Sequence, residues 1–123
     1  MMNIDIQVKT KYLGLQEKKD NLPVHVFSYT VTIVNHSDEA VTLRSRYWLI
    51  TNGDGEKIEV KGDGVVGEQP KIKSTESYSY TSASMIKSDV GTMEGFYVFE
   101  LEDKSTFKAP IPVFTLAKPN ALH

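Results

Sequence analysis

Hydrophobic and polar residues alternate with a period of two along most of this chain. Ile4, Ile6 and Val8 alternate with polar residues, and residues 27–33 repeat the pattern with Phe, Tyr, Val and Ile. Because successive side chains of a strand point to opposite faces, this spacing predicts strands that bury one face. About seven such runs follow one another, and no segment has the spacing of a long helix. The pattern therefore predicts an all-β fold, namely an antiparallel β-sandwich.

Three local features refine this prediction. Asn52-Gly53-Asp54-Gly55 predicts a tight hairpin, because Asn and Gly tolerate a positive φ. Pro110 and Pro112 cannot donate ladder hydrogen bonds, so the last strand is expected at a sheet edge or interrupted. Residues 44–50 carry large apolar side chains at both parities, which predicts either a bulge or a strand covered on both sides. Trp48 lies in this segment and is expected in the core.

Composition narrows the functional classes. The 123 residues fit one domain spanning 1–123, and the net charge of −2 argues against general nucleic-acid binding or binding to acidic membranes. Cysteine is absent, which excludes thiol nucleophiles, disulfides and cysteine-ligated metal centres. No apolar run reaches the length of a membrane span, and the N-terminus lacks a signal-peptide pattern. We therefore expect a cytoplasmic protein with no membrane partner.

The sequence contains no recognisable catalytic arrangement. No serine lies in a G-x-S-x-G elbow. The histidines, His25, His36 and His123, are far apart and show no metal-ligand spacing. We therefore predict that the protein has no catalytic residues and no cofactor, and that it is not an enzyme.

One segment matches a ligand-binding pattern. Gly62-Asp63-Gly64-Val65-Val66-Gly67 has the glycine spacing of dinucleotide-binding folds, which require a helix directly after the glycines. Here Glu68-Gln69-Pro70 follows and no helical repeat appears. Three interpretations remain: a structural or partner-contacting loop, an anion-binding nest, and a dinucleotide site. The candidate anion or pyrophosphate site comprises Gly62, Gly64, Gly67, Arg44, Arg46 and Lys61, with the two arginines expected to share a face.

Two further groups of residues have a binding interpretation. Asp63, Glu68 and Glu94 could hold a divalent cation, because carboxylate oxygens suit magnesium and calcium, or they could be solvated charges. Four aromatic residues could stack the bases of single-stranded nucleic acid or pack in the core, and the charge balance favours packing. These residues are Tyr78, Tyr80, Tyr97 and Phe99.

Several motifs of the chain resemble the ApaG family. They lie at residues 27–33, 46–51, 60–70, 80–82, 91–95 and 111–114. The resemblance covers nearly the whole chain and is specific in combination. The sequence departs from the family pattern at Ser74-Thr75 and, in the loop after Ser82, at Ala83 and Asp89.

The resemblance implies an immunoglobulin/fibronectin type III-like sandwich and a link to cobalt and magnesium tolerance, without an established catalytic activity. Related domains in eukaryotic F-box proteins and in a DNA polymerase delta-interacting protein imply a protein partner, whose identity the sequence does not give. The glycine segment maps onto a pyrophosphate-binding motif considered for the family. We therefore predict a binding module that affects divalent-cation homeostasis indirectly. The alternatives are a nucleotide or polyphosphate sensor at residues 62–67 and, more weakly, a direct cation binder.

Overall fold

The computed structural model describes residues 2–17 and 22–121, and these residues form eight strands. The strands are β1 (Ile4–Gln16), β2 (Val24–Asn35), β3 (Val41–Asn52), β4 (Lys57–Asp63), β5 (Lys71–Ile72), β6 (Ser77–Ile86), β7 (Val90–Glu100) and β8 (Thr106–Ala117). The described residues contain no helix, and hence none that is long and apolar enough to cross a membrane. The all-β prediction is confirmed. The sequence predicted seven strands, and the eighth is β5. It has only two residues, which are too few to show alternation.

The strands form two antiparallel sheets that pack as a sandwich. One sheet has the order β1-β2-β6, and the other has the order β4-β3-β7-β8, with β5 paired to β3. The inner faces of both sheets contribute to one hydrophobic core. β1 contacts β8 at one side of the sandwich, so β6 and β4 are the edges at the other side.

Trp48 occupies the centre of this core, as predicted. Its side chain is 2% exposed and meets three aromatic rings edge-on. The ring centroids of Tyr29, Phe114 and Tyr97 lie 5.5, 5.8 and 6.2 Å away. Such edge-to-face contacts bury large apolar areas and fix the relative positions of the two sheets.

The four aromatic residues considered for nucleic-acid stacking do not form an exposed platform. Tyr97 and Phe99 are fully buried and Tyr80 nearly so. The hydroxyl groups of Tyr80 and Tyr97 hydrogen bond to each other, and burial raises the pKa of both phenols. Tyr78 is half-buried and donates to a Glu68 carboxylate oxygen at 3.0 Å. The packing alternative is therefore the one that fits these residues.

A bulge in β3 explains why both parities of residues 44–50 are apolar. The pairing of β3 with β7 shifts between Leu43 and Ser45, so Arg44 is an extra residue in the ladder. Buried positions are odd before the bulge, as at Leu43, and even after it, as at Trp48. Of the two predicted alternatives, the bulge is the one that β3 contains. The expectation that Arg44 and Arg46 share a face is wrong because the shift separates them.

The predicted turn and edge features are also present. The backbone amide of Asn52 donates to Glu56 at 2.8 Å, and Gly55 has a φ of +90°, so the hairpin between β3 and β4 forms at the expected residues. Pro110 and Pro112 lie in β8, which is an edge strand with a register shift opposite Met93 and Gly95.

Candidate functional site

The glycine segment begins inside β4 and ends in a tight turn. Gly62 belongs to the strand, so the segment is not wholly the loop that was predicted. Val65 and Glu68 exchange two backbone hydrogen bonds of 2.8 and 2.9 Å around Val66 and Gly67. These two central residues have φ values of +48° and +78°, the signature of a type I′ turn. The segment therefore reverses the chain and leads into no helix, in agreement with the sequence prediction.

Val66 holds an unusual backbone conformation in this turn. A positive φ is rare for a β-branched residue and costs about 1–3 kcal/mol. The side chain of Val66 is 62% exposed, so core packing does not compensate for this cost. The two hydrogen bonds between Val65 and Glu68 hold the conformation in place.

Two amide groups of the segment, those of Gly64 and Val65, already have backbone partners. Gly64 donates to the carbonyl oxygen of Arg44 at 2.8 Å, and Val65 and Glu68 donate to each other. An anion nest requires successive N–H groups turned toward one ligand. A nest formed by Gly62, Gly64 and Gly67 stays a prediction, and it would require the Gly64 bond to open.

Arg46 stabilises the turn from the inner side of β3. Its Nη1 donates to the carbonyl oxygens of Asp63 at 3.1 Å and Gly64 at 2.8 Å. Gly62 is its direct neighbour on β4, and a Cβ atom there would lie 2.8 Å from Nη2 of Arg46. The absence of a side chain at Gly62 therefore makes room for the guanidinium, which satisfies two carbonyl groups of the turn.

Arg44 points to a different partner. Its Nε and Nη2 donate to the two carboxylate oxygens of Glu100 at 3.2 and 3.0 Å. Hydrogen bonding by Arg44 lowers the pKa of Glu100, and the same pair raises the pKa of Arg44. The two arginines of the predicted anion site thus have separate structural partners.

The three predicted cation ligands do not converge. Asp63 lies at the end of β4, Glu68 accepts a hydrogen bond from Tyr78 of the other sheet, and Glu94 lies on β7 opposite Leu49. Within residues 2–17 and 22–121, no group of three His, Cys, Asp or Glu side chains could hold a metal ion. The structure therefore does not assemble Asp63, Glu68 and Glu94 into the predicted site.

Part of the predicted anion site lines a shallow hollow of about 450 Å³. Its lining residues are Ser45, Arg46, Tyr47, Lys61, Gly62, Asp63 and Phe96. Three residues of the predicted set are thus brought together, whereas Gly64, Gly67 and Arg44 do not line the hollow. Tyr47 and Phe96 were not predicted as site residues.

The hollow belongs to a larger surface, the outer side of the five-stranded sheet, which we call the aromatic face. Its apolar residues include Tyr47, Leu49, Phe96, Val98, Pro110 and Val113, bordered by Glu59, Lys61, Glu94 and Lys108. Direct pairing in the ladder brings Tyr47 between Lys61 and Phe96, so these three side chains share one face.

Aromatic and charged contacts organise this face. The rings of Tyr47 and Phe96 stack with centroids 5.0 Å apart and planes at 21°. The Nζ atoms of Lys61 and Lys108 lie 5.8 and 4.6 Å from the centroids of Tyr47 and Phe96. Tyr47 donates to Glu59 at 2.9 Å, and this hydrogen bond is the main cause of its raised pKa. The rings are therefore held in place while their apolar surface stays partly open.

The outer side of the three-stranded sheet, which we call the hydroxyl face, has different chemistry. Thr30 bonds Thr81 at 2.8 Å, and Thr32 bonds Ser79 at 2.9 Å, hydroxyl to hydroxyl. Both pairs lie directly across β2 and β6. These four side chains thus satisfy their hydroxyl groups in cross-strand pairs.

Comparison with known proteins places these features in context. Residues 15–101 match the family model for the ApaG domain. The chain is 47% identical over 120 residues to Protein ApaG of Shewanella piezotolerans and 48% identical to Protein ApaG of Photobacterium profundum. Each alignment covers 98% of this chain and 94% of the relative. The fold superposes on the crystal structure of an ApaA protein from Bordetella pertussis with a TM-score of 0.88 and 35% identity, covering 98% and 97% of the two chains.

Proposed function

The chain belongs to the ApaG domain family, and from that premise we propose that it is a non-enzymatic binding domain whose aromatic face recognises another protein in the cytoplasm. The observation that carries the proposal is the partly open Tyr47–Phe96 stack at the centre of this face. Contiguous apolar surface with a polar border is characteristic of interaction sites. Val113 extends the apolar surface and is 60% exposed.

The arrangement also suits the energetics of recognition. Binding energy concentrates in a few central aromatic side chains that a polar rim protects from water. The rings of Tyr47 and Phe96 already stack on each other, so these side chains lose little conformational entropy when a partner binds. Lys61, Lys108 and Glu59 supply charges of both signs at the border, which favours one orientation of the partner.

Site-specific photo-crosslinking in bacterial cells tests this proposal. A photoreactive phenylalanine analogue at Val113 is expected to form a discrete adduct with one protein, identified by mass spectrometry. The matched control places the analogue at Gln7, an exposed residue on the outer side of the three-stranded sheet. Phe96→Ala should abolish the adduct from position 113. An equal adduct pattern from both positions would contradict the proposal.

A second candidate function is binding of a nucleotide polyphosphate at the hollow. Lys61 lines it together with Tyr47 and Phe96, so a cationic group lies beside rings that can stack a base. Titration of isotope-labelled protein with ATP or a diadenosine polyphosphate, with and without magnesium, should then shift the amide signals of Lys61, Gly62 and Phe96. Unchanged spectra at millimolar ligand would remove this candidate.

The link to cobalt and magnesium tolerance remains part of the proposal, as an indirect effect exerted through the protein partner. Direct coordination by Asp63, Glu68 and Glu94 finds no support in their separate positions. We expect titration calorimetry with cobalt or magnesium to show no binding heat. A stoichiometric heat that disappears in Asp63→Asn would instead favour a direct site.

A further inference from the structure

β6 is an edge strand that lacks the usual obstacles to pairing with another strand. It pairs with β2 on one side only, through ten consecutive positions without a register shift. Its sequence, SYSYTSASMI, contains no charged residue and no proline. Among the described residues, no backbone hydrogen bond from outside the sheet occupies its free side. A long, regular and uncharged edge presents unpaired N–H and C=O groups to any extended segment.

The other three sheet edges are protected. β1 carries Lys9 and Lys11 and has a register shift before Gly14. β8 contains Pro110 and Pro112. β4 alternates charged residues along its outer side, from Lys57 and Glu59 to Lys61 and Asp63. These are the devices by which proteins prevent edge pairing, and their absence from β6 is therefore specific to that strand.

The sandwich also has one strand position unfilled beside β6. Three strands face a row of four, and because β1 contacts β8, no described strand of the smaller sheet lies opposite β4. Val60 and Ile58 point inward, since they pair with the buried Trp48 and Ile50. Even so, Ile58 is 40% exposed. An inward apolar side chain open to solvent indicates where an additional strand would pack.

A cavity of about 150 Å³ lies at this position, between the edges of the two sheets. Its lining includes Val60 from β4 and Ser82 and Ser84 from β6. Arg46 is the one charged residue that lines it, and only Nη1 of its guanidinium is engaged by described residues. The cavity thus combines apolar side chains, serine hydroxyl groups and the remaining guanidinium donors of Arg46.

We propose that this vacant strand site, bounded by the free edge of β6 and the inner side of β4, accepts an extended segment of a partner protein. Main-chain hydrogen bonds to β6 provide the affinity, as in other cases of strand addition. The segment carries apolar residues at alternate positions, which cover Ile58 and Val60. It carries a carboxylate at the end near Arg46, where that charge is complemented.

A second copy of this chain does not fit the site. A two-fold pairing of β6 with β6 would place the partner's larger sheet where β4 already lies, because β4 extends one strand beyond β6. The site is also distinct from the aromatic face, which lies on the outer side of the five-stranded sheet. The inference therefore holds or fails independently of the proposed function.

Selection from a phage-displayed library of random peptides tests the proposal. The peptides match the 10 residues of β6 in length, and the full chain is the target. Enriched peptides are expected to alternate apolar and polar residues and to contain Asp or Glu near one end. Hydrogen exchange with a synthetic copy of an enriched peptide should slow at alternate amides of β6. Enriched peptides without alternation, or with no effect on β6, would overturn the inference.

Two lysine variants make the test specific. Ile58→Lys introduces a charge into the site at a partly exposed position, and it should weaken peptide binding at least tenfold. Val113→Lys changes the aromatic face instead and should alter affinity less than twofold. Thermal unfolding of both variants checks that they fold. Binding that is lost in Val113→Lys and retained in Ile58→Lys would refute the site while supporting the aromatic face.

Discussion

The outer side of the smaller sheet presents hydroxyl groups that bond one another, whereas the outer side of the larger sheet presents aromatic rings that stack. Thr30 and Thr81 form a cross-strand pair on the hydroxyl face, and Tyr47 and Phe96 form one on the aromatic face. Both pairs lie directly opposite each other in an antiparallel ladder. The same backbone geometry therefore carries one surface of paired hydroxyl groups and one of stacked aromatic rings.

The difference shows that the core does not dictate the chemistry of the outer surfaces. Both inner faces are apolar and pack around Trp48. Hydroxyl pairs are satisfied by each other and by water, so these paired groups need no partner. Removal of aromatic surface from water lowers the free energy, so the proposed partner would stabilise the aromatic face by covering it. The following predictions test this distinction.

The largest expected change is a loss of unfolding free energy on substitution of Gly95, which lies in β7 behind the aromatic face. A Cβ atom there would lie 1.9 Å from the carbonyl oxygen of Tyr47, so Gly95→Ala must push β3 and β7 apart. Overpacking against backbone should lower the free energy of unfolding by about 3 kcal/mol, measured by urea denaturation. Thr32→Ala on the hydroxyl face is the control and should cost about 1 kcal/mol or less. Equal losses would contradict the close approach of the two strands.

The next effect separates binding from stability. Phe96→Ala should weaken binding to the crosslinked partner at least tenfold, because central aromatic residues dominate such interfaces. Its cost in unfolding free energy should be only about 1 kcal/mol, the value of a cross-strand pair. Thr30→Ala should leave partner affinity unchanged. Titration of the purified partner gives the affinities, and a similar loss in both variants would remove the functional difference between the faces.

A smaller effect is expected within the hydroxyl face. Replacing Thr30 and Thr81 by alanine, singly and together, should give a coupling free energy of about 0.5 kcal/mol. The coupling is small because both hydroxyl groups regain hydrogen bonds to water when the pair is broken. A double-mutant cycle in urea measures it. A coupling above about 2 kcal/mol would mean that the pair is shielded from solvent and that the hydroxyl face is not a solvated surface.

The smallest effect concerns ionisation on the aromatic face. Glu59 accepts a hydrogen bond from the Tyr47 hydroxyl group, and this bond holds the pKa of Tyr47 above 10.0, its ordinary value. Because the folded state has the higher pKa, this contribution to stability is complete below pH 10.0 and is lost as pH rises through the folded-state pKa. Ultraviolet titration of Glu59→Gln should show a lower pKa for Tyr47. Glu94→Gln is the control and should shift it less, since Glu94 acts only through its charge.

The strands and turns were predictable because their signals are local. Alternation identified the buried face of β1 and β2, and the Asn52–Gly55 turn residues marked the hairpin that forms at Asn52. The prolines of β8 indicated an edge, because a missing N–H cannot continue a ladder. Each signal depends on a few neighbouring residues, so no knowledge of the partner strand was required.

The aromatic face was not predictable by the same reasoning, because it depends on register. One extra residue at Arg44 reverses the parity of β3, and only pairing with β7 shows that Tyr47 then lies opposite Phe96. Phe96 also has the opposite parity to the buried Tyr97, which was the one available signal. In the glycine segment, by contrast, a local pattern was misleading. Its spacing matches a phosphate-binding motif, but its backbone forms a type I′ turn around Val66 and Gly67.

The contact between Arg46 and Gly62 has a consequence for how this family can vary. The guanidinium occupies the space that a side chain at Gly62 would need, so the two positions constrain each other. A lineage that acquires a side chain at position 62 must first shorten or redirect Arg46, and the carbonyl groups of Asp63 and Gly64 then lose their donor. The two sites should therefore change together over evolution, with the glycine retained wherever the arginine is.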